Sequence, residues 1–122
     1  MIIGQTLMKA NVPYYSAWFP RQGNAATFVL DCLGISGASL TVNVMHKNYG
    51  DFDYPVDQVA GALSAVSATG TSTRRLTGLK ELIRFECNVV GSNSYDWVHF
   101  RMLRPAWETN ASASAVGTAG IA

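Results

Sequence analysis

Tryptophan, histidine and two arginines stand together in "DWVHFRMLRPAW", residues 96–107. Three uses fit such a stretch: a catalytic or ligand site, a nucleic-acid patch, or a subunit interface. Catalysis would need a second group to converge on His99. The chain has two histidines and two cysteines, so Cys87–His99 and Cys32–His46 are the pairs that could meet across strands. A catalytic thiol needs an accessible, electropositive setting. Cys87 shares the apolar parity of Phe85, and Cys32 that of Phe28, which is the wrong setting. No G-x-S-x-G elbow, H-E-x-x-H pair, phosphate loop or G-x-G-x-x-G turn is present. The expectation is therefore a protein without catalytic residues and without a cofactor. Cys32 and Cys87 read as small buried apolar residues, with a disulfide pinning the two sheets as the alternative.

A metal site has equally little support. The loop "NYGDFDYPVD" (48–57) offers Asp51, Asp53 and Asp57, but its glycine precedes the acids and no glutamate closes the loop, unlike a calcium-binding EF-hand. No C-x-x-C pair exists for zinc. The aromatics of that loop, Tyr49, Phe52 and Tyr54, suit two purposes. They could stack on sugar rings or anchor a protein interface. The sequence leaves both open.

The formal net charge of +1 argues against nucleic acid and anionic membrane as partners, because such binding releases many counterions. "STRRL" (72–76) is the only paired basic cluster. No apolar run approaches the roughly 18 residues of a membrane span, and "MIIGQTLMKANV" lacks the basic start and cleavage site of a signal peptide. Charged residues make up 14% of the chain, against about 25% in ordinary soluble domains. Either the surface is covered with Ser, Thr, Asn and Gly, or much of it is covered by other protein.

The elements that position these residues are strands. "ATFVLDCLG" (26–34) and "SLTVNVMHK" (39–47) alternate with period two, and "GISGAS" between them reads as the turn of a hairpin. "LIRFECNVVG" (82–91) places Ile83, Phe85, Cys87 and Val89 on one face and Arg84, Glu86 and Asn88 on the other. With "YDWVHFRML" (95–103) it reads as a second hairpin. There, Val98, Phe100 and Met102 form the core face, while Trp97, His99, Arg101 and Leu103 point outward, with Arg104 beyond. Arg101 is expected to reach Glu86 across this hairpin, and Trp107 to fold back as a plug after Pro105. The first strands are placed at 2–9 and 14–20, the second closed by Pro20. "PVDQVAGALSAVSATG" (55–70) is ambiguous between helix and strand, with a strand near 61–69 favoured. "TGTSTRRLTGLKE" reads as a loop.

Six to eight short strands predict an all-β fold, an antiparallel β-sandwich or jelly-roll-like barrel with little helix. The domain spans 1–108. Residues 109–122, rich in Ala, Ser and Gly, form a tail that has no core of its own. The outward residues Trp97, His99, Arg101 and Arg104, together with Trp107, Tyr49, Phe52 and Tyr54, are the interface candidates, since Trp and Arg are enriched where interfaces bind most strongly.

"QTLMKANVPYYSAWFPRQGNAATF", "GLKELIRFECNVVG" and "DWVHFRMLRPAW" together resemble small structural proteins of tailed bacteriophages, over about three quarters of the chain. That resemblance implies a β-sandwich that decorates or cements a capsid, or serves as a minor capsid or tail component. It implies no catalytic residues. It implies partners in the major capsid protein or in copies of the chain itself, and a place in the virion after synthesis in the host cytoplasm. A carbohydrate- or surface-binding module using Tyr49, Phe52, Tyr54 and Trp97 is the alternative.

Overall fold

The computed structural model describes residues 3–11, 13–51, 59–93 and 95–109. The chain runs through β1 (Ile3–Lys9), β2 (Tyr14–Tyr15), β3 (Phe19–Pro20), β4 (Ala25–Ser36), β5 (Ala38–Lys47), β6 (Val59–Ala62), β7 (Gly70–Leu76), β8 (Leu82–Gly91), β9 (Trp97–Met102) and β10 (Ala106–Glu108). All pairings are antiparallel, in two sheets. In sheet A, β9 and β10 follow one edge of β4 and β7 the other, with β1 outside β9. In sheet B, β8 pairs with β5 along its whole length, while β2 and β3 share its other edge and β6 flanks β5. The two sheets pack face to face as an open β-sandwich rather than a closed barrel.

Period-two alternation explains the core. Phe28, Leu30 and Cys32 from β4, with Val98, Phe100 and Met102 from β9, face Leu40, Val42 and Val44 from β5 and Ile83, Phe85, Cys87 and Val89 from β8. Each of these side chains is buried, so the sandwich interior is apolar. Phe85 packs edge-on against Phe28 with ring centroids 5.8 Å apart. Phe19 and Trp107 complete a four-ring cluster between the sheets.

Neither expected hairpin forms. β4 and β5 belong to different sheets, as do β8 and β9. Each connection, at Gly37 and between β8 and β9, carries the chain from one sheet to the other. A sandwich made this way pairs strands that are distant in sequence, and alternation alone cannot tell a hairpin from a crossing. The expected pairing of Arg101 with Glu86 fails for the same reason: the two residues lie in opposite sheets. The segment read as a loop at 70–76 is strand β7. It has no apolar alternation because it is an edge strand, with only Ser72 and Leu76 buried. The middle segment forms a shorter strand than expected, Val59–Ala62, followed by an isolated bridge between Val66 and Leu40. The second strand is broken into β2 and β3, where the Ser16 hydroxyl accepts the Phe85 amide at 2.9 Å and interrupts the ladder.

His46 lies at the end of β5 opposite Ile83, half-buried, and its Nδ1 accepts the Lys80 amide at 3.2 Å. Burial, with the Lys80 charge adding to it, holds its pKa below the usual 6.5. The unfolded chain therefore takes up this proton first as pH falls. Stability that His46 contributes above about pH 6.5 is lost as the pH drops through the folded pKa. Thermal unfolding at pH 7.5 and 5.5 should show a smaller pH-dependent drop in His46→Gln than in the parent. Equal drops would show that His46 is not the group responsible. Glu86 and Glu108 are held below their usual 4.5 and act in a lower window.

Candidate functional site: the outer face of sheet A

The outer face of sheet A is built on β9 and its neighbours. Lys9 of β1 sits opposite Trp97, and Leu7 opposite His99. On the other side His99 faces Gly34 and Arg101 faces Asp31. Cys32 pairs with Phe100 and Gly34 with His99, so Leu33 is the extra residue of a β-bulge. The indole of Trp97 lies against Gly34: a Cβ there would come within 3.3 Å of two ring atoms. Glycine at this position lets the ring rest on the strand. Trp97, at the start of β9, stays 37% exposed, and Leu7, on the edge strand β1, 69% exposed.

Arg101 Nε donates to Asp31 Oδ2 at 2.9 Å. This directly opposed, partly buried pair is worth about 0.5–1 kcal/mol. Lys9 and Arg104 are exposed, and neither has a carboxylate within ion-pair reach among the described residues. The face is thus an apolar centre, Leu7 and Trp97, flanked by Lys9, His99 and Arg101, with Arg104 past the end of β9.

Among the other candidates, Trp107 on β10 is half-buried and packs edge-on against Phe28 at 6.3 Å and Phe19 at 6.5 Å. Its indole serves the core. Tyr49 is 62% exposed at the opposite end of sheet B, away from the Trp97 face. Phe52 and Tyr54, with Asp53 and Asp57, lie outside the described residues, as does the tail from residue 110.

The thiols are placed for packing. Cys32 and Cys87 are free and buried. Burial raises both pKa values, that of Cys87 to about 12, with the Glu86 charge adding to it. Cys87 points into the core and His99 out of sheet A, so they cannot act as a pair. The accessible thiolate that nucleophilic chemistry requires is missing at both positions. The native protein is expected to leave both thiols unlabelled by a thiol reagent at pH 8, and to expose two after unfolding without reductant. One or none after unfolding would overturn the assignment.

Sheet B carries a second feature that the alternation pattern does not single out. Trp18, half-buried between β2 and β3, lies under two cations: Lys47 Nζ is 4.8 Å and the Arg84 guanidinium 4.5 Å from its ring. Arg84 also stacks on Tyr15 at 4.7 Å. Lys47 and Arg84 are only 6% and 5% exposed although they point to the outer side of the sheet. Beside them, Tyr15 Oη and Asn43 Nδ2 each donate to Glu86 at 2.7 Å. Burial opposes ionisation of Glu86. Hydrogen bonds from Tyr15, Asn43 and Asn88 and the nearby Arg84 charge outweigh it and hold the carboxyl low. The sequence signal is the order Trp-Phe-Pro-Arg on a broken edge strand facing Lys and Arg on polar parity, which reads as ordinary solvated surface.

The chain matches no protein-family model, no curated protein and no solved structure. The fold defines it as an antiparallel β-sandwich with an amphipathic outer sheet face. Among the described residues no helix is long and apolar enough to cross a membrane, and no three His, Cys, Asp or Glu side chains gather as a metal site.

Proposed function

We propose that this β-sandwich is a non-enzymatic structural protein of a bacteriophage virion, a capsid decoration or minor capsid protein that binds the capsid lattice or copies of itself through the outer face of sheet A. The observation that carries this reading is the exposed pair Leu7 and Trp97, set among Lys9, His99 and Arg101 on the outer face of sheet A. Aromatic and arginine side chains on a flat, preordered surface are the usual anchors of protein interfaces. The low charge of the chain and its resemblance to small virion proteins support the same reading. Trp97→Ala and Arg101→Ala are expected to cut particle occupancy at least tenfold while moving the melting temperature by only a few degrees. Full occupancy by both variants would sink the proposal.

A second reading, a sugar-binding module, is favoured by a separate observation. Tyr15, Glu86, Asn43 and Asn88 form a fixed aromatic and polar platform on the outer face of sheet B. Ring stacking on Tyr15 with hydroxyls held by Glu86 and Asn43 is the chemistry it would offer. Titration of the protein with neutral oligosaccharides, parent against Tyr15→Ala, tests it. Binding lost in the variant would favour this reading over the first.

A further inference from the structure

The β7–β8 connection, residues 77–81, carries the chain from sheet A to sheet B. It lies at the end of the sandwich opposite Gly37, because β8 begins beside Lys47, the last residue of β5. Leu79 is its plug, 2% exposed and part of the apolar core. The connection is held from several sides. The Leu79 amide donates to the Asn24 carbonyl at 3.0 Å, and the Arg21 amide donates to the Glu81 carbonyl at 2.9 Å. The Arg21 guanidinium donates to the Leu79 carbonyl, and the Tyr49 amide to Glu81 Oε1 at 3.0 Å. The remaining bond runs from the Lys80 amide to Nδ1 of His46, which shares the inward parity of Val42 and Val44 on β5. It differs from the others in its acceptor: a ring nitrogen accepts only while it carries no proton. The charge that acts on this ring is that of Lys80. Arg21 and Glu81 of the adjoining segments, with Lys47, Tyr49 and Asp51 along the end of β5, are the other ionisable groups of the described elements that meet here. Asp53 and Asp57 lie outside the described residues.

We infer that His46 is an acid-sensitive latch on this connection: the neutral ring holds residues 77–81 closed over the end of the sandwich, and its protonation shifts them toward an open state while the two sheets stay paired. Histidine is the side chain whose ordinary titration falls in mild acid. Once protonated, Nδ1 is a donor that meets the Lys80 amide donor, and the ring charge meets the Lys80 ammonium. In the open state the ring reaches water and takes its proton at the usual 6.5, whereas the closed state holds it lower. Each proton bound therefore favours opening. The sheets do not depend on this bond. β5 and β8 pair from Ala38 opposite Gly91 to Lys47 opposite Leu82, and that ladder persists when the connection lifts. Opening of one segment below the free energy of global unfolding is ordinary for a connection at the end of a fold. It uncovers Leu79 and the core behind it. The latch is independent of what either sheet face binds.

Amide hydrogen exchange of the full chain, corrected for the intrinsic pH dependence of exchange, tests it. Protection of the Leu79 and Lys80 amides is expected to fall about three- to tenfold between pH 7.5 and pH 5.5, as one group titrating near 6.5 when open and lower when closed requires. Both amides are expected to exchange faster than those of the β5–β8 ladder at either pH. Their exchange should also be unchanged by about 1 M urea, which speeds exchange through global unfolding and not through a small local opening. His46→Gln keeps an acceptor on the side chain and removes the titration, so the fall with pH should vanish in that variant. Circular dichroism reports whether it is folded. The parent measurements carry the test alone if it is not. Protection that stays flat with pH in the parent, or the same fall in a folded His46→Gln, would overturn the inference. So would Leu79 and Lys80 amides that exchange as slowly as the ladder and respond to urea as it does, because the connection would then open only when the whole domain unfolds.

Discussion

Phe85→Ala is expected to cost about 3–5 kcal/mol of folding stability, the usual range for removing a fully buried aromatic ring. The ring is 0% exposed and sits where the two sheets meet. It contacts Phe28 of sheet A edge-on and Phe19 of the sheet B edge at 5.7 Å. Trp107 closes the cluster by packing on Phe28 and Phe19. Truncation leaves a hole bordered by the rings of Phe28 and Phe19, and β-sheet backbone on both sides cannot collapse into it. A domain of this size typically has about 5–15 kcal/mol in hand, so the variant would melt on the order of 10–20 °C lower. Tyr95→Ala provides the contrast, since Tyr95 is 85% exposed and its loss should leave the melting temperature within a degree or two. Urea unfolding of both variants measures the difference. A loss below about 1 kcal/mol for Phe85→Ala would mean that the ring cluster is not the packed centre of the fold.

That cluster is legible in the sequence in part. Phe85 and Phe28 stand on the apolar parity of clear strands, and the place of Trp107 after a proline marks it as a plug. The partner relations are not legible. Period-two alternation says which face of a strand is buried but carries no information about which strand lies beside it. Hence β4–β5 and β8–β9 look like hairpins in sequence and are crossings between sheets. The same ambiguity misplaces Arg101. Its outward direction follows from parity, but the carboxylate opposite it is Asp31, 70 residues away in sequence, rather than Glu86. β7 is illegible for another reason: an edge strand of Thr, Ser and Arg is stabilised by its backbone ladder with β4 and leaves no apolar period to read. Its cross-strand neighbour relations also place Arg75 within reach of Glu108 at 2.7 Å, a pair that cannot be foreseen while 70–76 reads as a loop.

The site is legible to the same degree. Trp97, His99 and Arg101 are expected on one outward face and are there, because strand parity decides direction. Leu7 and Lys9 have no sequence connection with them, since only the β1–β9 pairing brings them alongside. The buried cations Lys47 and Arg84 escape a reading that equates polar parity with solvent. Their burial depends on Trp18 and Tyr15 covering them, a relation set by the β2/β3 edge and not by β5 or β8.

Gly37→Ala is expected to cost about 2–4 kcal/mol when backbone strain and steric conflict are taken together. Gly37 has φ +69°, in the left-handed region, at the one-residue step where the chain leaves β4 for β5. An alanine there carries about 1–2 kcal/mol of strain. It also meets a neighbour: its Cβ would overlap Oδ1 of Asp96 and lie 2.8 Å from Cγ. Asp96 cannot easily withdraw. It is 8% exposed, its carboxylate accepts the Asn93 amide at 3.1 Å, and its backbone carbonyl accepts the Ala10 amide at 2.8 Å. A Cβ at Gly91 would press on the same side chain at 2.7 Å. Both sheet crossings are therefore wrapped around one aspartate, and a methyl group at Gly37 disturbs both. Gly78 separates the two contributions, because its φ of +66° is nearly the same and a Cβ placed there would find nothing within 4 Å. Gly78→Ala should cost only the strain, about 1–2 kcal/mol. The excess of Gly37→Ala over Gly78→Ala is the conflict with Asp96, and it should shrink in the Gly37→Ala/Asp96→Ala double variant relative to the sum of the singles. Denaturant midpoints for the three single variants and the double decide the matter. Equal losses for Gly37→Ala and Gly78→Ala, or strictly additive losses in the double variant, would show that Asp96 does not hold the two crossings together.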